Sequence, residues 1–366
     1  MSGARRVSII GTRGYPSYYG GFETAVRFIA PALCDAGWDV TVYGRTGSTR
    51  DDDPGLDPRV HRRVTWGIEK KSLSTLSYGM SSSIDAVRRK PEAALIMNVA
   101  NGFWIPLLKA RGIRTVVNVD GIEWERAKWG RAARMMFRAG AWFTIKFADL
   151  LVYDADAIAA RWKSDFGTAG VVIPYGGTPV VDTPLPLDLS HRGYALVVAR
   201  FVPENSIQEI FDAIRELGSD HDTVIVGSTG YGGEFDEQAA ELARENARVR
   251  WLGHVSDDAL LHALWAHAGV YIHGHSVGGT NPALVQAMAC QAPTVARDTV
   301  YNREVLGEDG SFFEADSSAI VAAVHRTLSS DEEMSRLSRL SAERARERYT
   351  WEAVCAAYER SLTAAD

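Results

Sequence analysis

Short apolar, β-branched runs alternate with amphipathic stretches along almost the whole chain, and few folds accept that rhythm. Val7–Ile10 leads into a helical stretch from about Phe22 to Ala36, and Asp39–Tyr43, Ala94–Met97, Thr115–Val119 and Leu150–Tyr153 follow as further strands. In the helical stretch Phe22, Ala25, Val26, Ile29, Ala30 and Leu33 recur at spacings of three and four, and Gly37 supplies a left-handed stop. Strands that are apolar throughout and joined by helices belong in a parallel sheet buried on both faces. The rhythm breaks after Val171 to Gly177, where proline-rich sequence runs to Pro186. It resumes with Ala195–Ala199, Thr223–Val226, Val249–Leu252, Gly269–Ile272 and Pro293–Ala296. With 366 residues the chain is too long for one small core. The expectation is an α/β protein of two Rossmann-like, doubly wound domains, with residues 1–176 as the first and 177–345 as the second. The last segment, Asp331 to Leu362, reads as helical throughout. Its end, residues 346–366, places Trp351, Val354, Cys355 and Tyr358 on one face and is expected to reach back over the first domain.

Charge divides the halves. Residues 1–185 carry 25 Lys and Arg against 18 Asp and Glu, whereas residues 186–366 carry 15 against 28. All seven lysines lie at or before Lys163, so a phosphate held by the second half must rely on arginine, helix ends and main-chain amides. No stretch approaches the roughly 20 apolar residues that span a bilayer. The start reads as a first strand rather than a signal peptide, which makes the cytoplasm the expected compartment. Cys34, Cys290 and Cys355 are scattered without a CxxC pair, so neither a disulfide nor a zinc site is expected. Nucleic acid is an improbable partner, because net charge is −6 and no aromatic stacking module is evident.

Two glycine loops carry the chemistry. The first strand ends in Gly11-Thr12-Arg13-Gly14-Tyr15-Pro16-Ser17-Tyr18-Tyr19-Gly20-Gly21-Phe22-Glu23, with the glycine pair where the first helix begins. The loop is too long, and has a proline within it, for the dinucleotide fingerprint GxGxxG. The second loop is Gly274-His275-Ser276-Val277-Gly278-Gly279-Thr280-Asn281, ahead of a helix from Pro282. The amides of Gly278, Gly279, Thr280 and Asn281 point an anion, most simply a diphosphate, at the positive end of that helix. A plain structural turn needs the same residue types, so the loop alone leaves both readings open. The acidic runs Asp51-Asp52-Asp53 and Asp154-Ala155-Asp156 read as a turn and a helix cap, and no metal site is expected.

Gly20-Gly21-Phe22-Glu23 resembles the helix start of family 4 glycosyltransferases, enzymes of the GT-B fold with two facing Rossmann-like domains. The longer string from Gly11 to Thr24 is similar to a bacterial subgroup that includes rhamnosyltransferases of polysaccharide assembly. Asp120 to Trp129, Ala199-Arg200-Phe201-Val202-Pro203-Glu204-Asn205, and His275 to Ala289 followed by Asn302-Arg303-Glu304 agree with that subgroup. The resemblance spans nearly the whole chain. It implies a retaining, metal-independent enzyme that takes a sugar from a nucleoside diphosphate bound to the second domain and passes it to a saccharide or lipid-linked acceptor on the first. It needs no cofactor beyond the sugar nucleotide, for which the subgroup suggests dTDP-L-rhamnose.

Carried over residue by residue, the resemblance makes Asp120 and Arg200 the catalytic pair, Arg200 facing the diphosphate. It assigns Gly20, Gly21, Arg13, Asn205, His275, Gly278, Gly279, Thr280, Asn281 and Gln286 to the sugar nucleotide and Glu123 and Trp124 to the acceptor. The chain departs from the family in three places. Asn205 stands where a lysine is usual, leaving a missing charge for which Arg13 is the candidate, and Gly278 and Gln286 replace two glutamates. Gln286 still offers an oxygen to a ribose hydroxyl. Between Arg126 and Phe147 six basic residues, Lys128 among them, interleave with Trp129, Met135, Met136, Phe137, Trp142 and Phe143. Such a helix can lie on an anionic membrane surface or pack as a core helix with a solvated face. Two other classes remain: an NAD-dependent oxidoreductase or epimerase using the first loop, and a catalytically silent sugar-nucleotide binding protein.

Overall fold

Strand burial sets the architecture. In the computed structural model, which describes residues 4–18, 20–69, 71–126, 129–218 and 220–363, the central strands are buried along nearly their whole length. The chain forms two units, one running to Tyr175 and resuming at Trp351, the other spanning Gly176–Thr350.

The first unit is built from β1 (Arg5–Ile10), α1 (Gly21–Asp35), β2 (Trp38–Gly44), β3 (His61–Val64), α2 (Lys71–Arg89), β4 (Ala93–Met97), α3 (Ile105–Lys109), β5 (Arg114–Asn118), α4 (Arg131–Phe147), β6 (Leu150–Tyr153), α5 (Asp156–Phe166) and β7 (Val171–Val172). Its strands pair in parallel in the order β3-β2-β1-β4-β5-β6-β7. The second unit has β8 (Tyr194–Val198), α6 (Ile207–Leu217), β9 (Asp222–Val226), α7 (Glu234–Glu245), β10 (Val249–Trp251), α8 (Asp258–His267), β11 (Val270–His273), α9 (Pro282–Ala289), β12 (Thr294–Arg297), α10 (Val300–Leu306), β13 (Ser311–Phe313), α11 (Ser317–Leu328) and α12 (Asp331–Arg348). Its parallel order is β10-β9-β8-β11-β12-β13. Both sheets are doubly wound, as the apolar rhythm requires. The winding reverses between β1 and β4 in one and between β8 and β11 in the other. At such a reversal the loops leaving two neighbouring strands diverge and open a crevice at their carboxyl ends.

The final helix, α13 (Trp351–Leu362), belongs to the first unit. Trp351, Val354, Tyr358 and Leu362 join Val26, Ile29, Val40 and Leu95 in one core, and the Trp351 ring stacks on Phe28 at 4.1 Å. Asn118 at the end of β5 donates to the buried Tyr358 hydroxyl at 2.7 Å, and Arg5 pairs with Glu359. The expectation of one helix from Asp331 to Leu362 needs correction. The helix stops at Arg348 because the Tyr349 carbonyl accepts from Gly177 N–H at 2.8 Å and Thr350 forms an isolated bridge to Gly177. Three strands escape the sequence pattern: β3 is polar and largely exposed, and β7 and β13 are too short to show a period.

Two imidazole pairs tie the second unit. The Nδ1 atoms of His191 and His267 lie 2.9 Å apart, and His221 Nε2 lies 3.2 Å from His325 Nδ1. Each hydrogen bond needs one neutral ring. Partial burial lowers the pKa of His191, assisted by Arg192 and His267, and burial with the His325 charge lowers that of His221. A folded value below the unfolded one of about 6.5 means the stabilisation is complete above that pH and is lost on acidification. The melting temperature of the second unit should therefore be flat from about pH 8 to 6.5 and fall towards about pH 5. The slope should shrink in a His191→Phe/His221→Phe variant, and an unchanged slope would remove the pairs as its cause.

Candidate functional site

The carboxyl edge of the second sheet gathers most of the expected residues. Two residues past the end of β8 stands Arg200, exposed and without a side-chain partner among the described residues. Its carbonyl is held by Asn205 Nδ2 at 2.9 Å, and Asn205 is itself only 4% exposed. On the other side of the reversal β11 ends at His273, which is fully buried and bonded through Nδ1 to the Tyr271 hydroxyl at 3.0 Å. Burial, reinforced by the neighbouring His275, holds the His273 imidazole well below its usual pKa. The His275 ring stacks flat on His273, centroids 4.3 Å apart.

The loop that follows is fastened from several sides. Ser276 donates through both N–H and Oγ to the Glu204 carbonyl. Asn302 Nδ2 donates to the His275 carbonyl at 2.9 Å and to the Arg297 carbonyl at 2.8 Å. A Cβ on Gly274 would lie 2.4 Å from the Asn205 carbonyl oxygen, so only glycine lets the two backbones meet. Gly278 has φ +105° and open space around it, a conformation that side chains rarely adopt. The amides of Gly278 and Gly279 make no hydrogen bond among the described residues. Gly279 and Thr280 are buried, and Asn281 caps α9 by accepting from Ala283 N–H at 3.0 Å.

In the first unit the reversal lies between β1 and β4. The loop after β1 is closed by Glu23, 7% exposed, which accepts from Arg13 N–H at 3.0 Å, while Gly20 enters α1 in an extended conformation and Gly21 opens the helix. Arg13 lies near Arg45, whose pKa is lowered by burial and then by the Arg13 charge. Beyond β5, Asp120 takes φ +64°, with its N–H bonded to Asn118 Oδ1 and its carboxylate 3.9 Å from Arg126. A non-glycine residue there is strained, and such strain concentrates at working positions. Glu123, 4% exposed, pairs with Arg126 at 2.5 Å and accepts from Trp129 Nε1.

Two family models match the chain: one described as Glycosyltransferase Family 4 over residues 19–177, the other as Glycosyl transferases group 1 over residues 192–330. The chain belongs to the family 4 glycosyltransferases of GT-B fold. A curated relative, O-antigen chain mannosyltransferase B of Escherichia coli, is 26% identical over 148 residues, a match spanning 39% of each chain. Among solved structures, sucrose-phosphate synthase of Thermosynechococcus elongatus superposes with a TM-score of 0.79 at 19% identity, covering 97% of this chain and 98% of its own. HepE of Anabaena, solved with UDP and glucose, superposes with a TM-score of 0.77 at 16% identity, covering 99% and 100%.

Several expected ligands turn out to hold the scaffold. Gln286 does not present its amide to open space: Oε1 accepts from Thr178 N–H at 2.9 Å and Nε2 donates to the Thr178 carbonyl at 2.8 Å and to Cys290 Sγ at 3.3 Å. A carboxamide can do this because it both donates and accepts. Asn205 is likewise turned inward and sets the Arg200 main chain instead of facing a ligand. Trp124 is 8% exposed, its ring set edge-to-face against Trp162 and Phe166, which leaves little of its face for a sugar. Arg13 stands close to Arg45 in the first unit.

The acidic run is also committed. Asp51 pairs with Arg62, Asp52 with Arg50, and Asp53 accepts from Tyr18 and Gly55. Among the described residues no group of three or more His, Cys, Asp or Glu is arranged to hold a metal, and no helix is long and apolar enough to cross a membrane. Lys128 lies outside the described residues. Sequence reasoning passed over Arg297 and Ser206, joined at 3.0 Å, although an arginine closing a strand at the carboxyl edge was a visible signal.

Replacing Gln286 with Glu should leave the Thr178 carbonyl facing a carboxylate. The expected cost is about 1–3 kcal/mol of stability for the second unit, read by denaturant unfolding. A variant of unchanged stability would show that the clamp contributes nothing and that the side chain is available to a ligand.

Proposed function

We propose that the protein is a retaining transferase that moves a hexose from a nucleoside diphosphate sugar held by the second unit to a saccharide or lipid-linked saccharide presented to the first, in the synthesis of a cell-surface polysaccharide or glycoconjugate. The observation that carries this reading is Arg200: an uncompensated guanidinium leaving β8 at the sheet reversal, with the unbonded amides of Gly278 and Gly279 leaving its neighbour β11. Cationic forks and free amides at such an edge suit a diphosphate. As the glycosidic bond to the diphosphate breaks, negative charge grows on the departing oxygen, and groups already fixed in place stabilise it without reorganising. The structure's own scaffold supports that rigidity, since Asn205, Ser276 and Asn302 fasten the surrounding main chain.

The polysaccharide role draws support from the curated mannosyltransferase relative, and the sugar nucleotide from HepE, solved with UDP and glucose. The subgroup motifs favour L-rhamnose carried on dTDP. Asp120, strained and half-buried at the end of β5, is the candidate to contact the transferring sugar or orient the acceptor hydroxyl. A lipid-linked acceptor fits α4. That helix buries Phe137, Gly140, Ala141 and Thr144, and exposes Arg131, Arg134, Arg138 and Lys146 beside Met135 and Trp142, which are 74% and 52% exposed. Cations with large apolar side chains on one face suit the surface of an anionic leaflet, which supports the reading of a peripheral protein on the cytoplasmic side of the cell membrane.

Thermal stabilisation by UDP, dTDP, GDP, dTDP-rhamnose, UDP-glucose and NAD identifies the nucleotide, because a ligand of the native state raises the melting temperature. With the sugar nucleotide so chosen, Arg200→Ala should lower kcat by about 10²–10³-fold, the scale of losing one group that stabilises developing charge. Near-normal kinetics would take Arg200 out of the reaction, and stabilisation by NAD alone would point to an oxidoreductase.

A further inference from the structure

Arg297 closes β12, the strand next to β11 on the side away from β8. The loop leaving β11 therefore has Arg200 beyond one neighbouring strand and Arg297 at the end of the other. Arg297 is half-buried, and its Nη1 donates to Ser206 Oγ at 3.0 Å. Ser206 Oγ in turn donates to the Gly274 carbonyl at 2.8 Å, so the guanidinium sits where the turn after β8 meets the loop after β11. Its main chain is tied to that loop as well, through the Asn302 side chain that bonds both the Arg297 and His275 carbonyls.

No described residue nearby neutralises it. The adjacent Asp298 gives both carboxylate oxygens to Arg303, each at 2.6 Å, and among the described residues no carboxylate lies within ion-pair distance of Arg297. Arginine does not shed its proton, so a half-buried guanidinium without a counter-charge carries a desolvation cost that an anion would relieve. An amine at position 205 is not available for this, because Asn205 is neutral and turned to the Arg200 carbonyl, whereas Arg297 bonds the very next residue, Ser206.

Resting on the reading of this edge as a sugar-nucleotide site, we infer that Arg297 is its second diphosphate-binding residue and supplies the charge that position 205 lacks. Ser206 and Asn302 are positioning residues for it. The pair Arg200 and Arg297 brackets the diphosphate from two strands, with the Gly278–Gly279 amides between them.

The variant that separates charge from packing is Arg297→Gln, which keeps an N–H for Ser206 but removes the cation; Arg297→Lys restores a cation. Titration calorimetry with UDP, dTDP and GDP, and with the matching monophosphates, is made at two or more salt concentrations. Arg297→Gln should weaken binding of the preferred diphosphate about tenfold or more, the weight of one charge-assisted hydrogen bond. It should weaken the monophosphate less, and flatten the salt dependence of diphosphate binding, while Arg297→Lys recovers most of the loss. If wild type binds a diphosphate and Arg297→Gln binds it equally with the same salt dependence, Arg297 only braces Ser206: the inference falls and the sugar-nucleotide reading stands. If wild type binds none of the three diphosphates, both fall together.

Discussion

Parallel pairing around a reversal is the constraint on which the rest depends. Each strand of the second sheet must return by a crossover on one face or the other, and β8 and β11 are neighbours whose chains leave towards opposite sides. Their loops cannot close over each other, so the carboxyl edge stays open there whatever residues occupy it. Everything proposed for this chain's chemistry in that unit is a decoration of this gap. Arg200 comes from one lip, the Gly274–Asn281 loop from the other, and Arg297 from the next strand along.

An open edge is useful only if its main chain is rigid. Three carboxamides provide that rigidity: Asn205 holds the Arg200 carbonyl, Asn302 joins the His275 and Arg297 carbonyls, and Gln286 grips both polar groups of Thr178. Each uses polar capacity that a ligand could otherwise have claimed. The arginines divide in the same way. Arg303 is locked on Asp298 with its guanidinium over the Phe312 ring, whereas Arg200 and Arg297 have no carboxylate partner among the described residues. The charge of this edge is therefore decided by which arginines the fold leaves uncompensated, rather than by how many it contains.

The strands whose burial is two-sided were legible, because an unbroken apolar run such as Ala94–Met97 or Ala195–Val198 has nowhere else to go. The polar β3 was not, since it takes its order from β2 and shows no pattern of its own. The stop between α12 and α13 was also hidden. Both flanks favour helix, and the break comes from the Tyr349 carbonyl being captured by Gly177, a residue remote in sequence. At the candidate site, residue type singled out Arg200 and the glycine loop, and the fold sets both at the open carboxyl edge of the second sheet. It could not show that Gln286, Asn205 and Trp124 are engaged within the fold, because an amide that can serve a ribose serves a peptide equally well, and the Trp124 indole packs edge-to-face against Trp162.

Sequence by itself determined the two doubly wound sheets, the family 4 glycosyltransferase pattern and the placing of two glycine loops at strand ends. These rest on local periodicity, motif order and backbone freedom, which are properties of neighbouring residues. Only the tertiary structure decided which polar side chains face outward. That choice depends on partners such as Thr178 for Gln286, remote from it in sequence and brought to it by the fold, and a hydrogen bond satisfied inside the fold is one no longer offered to a ligand.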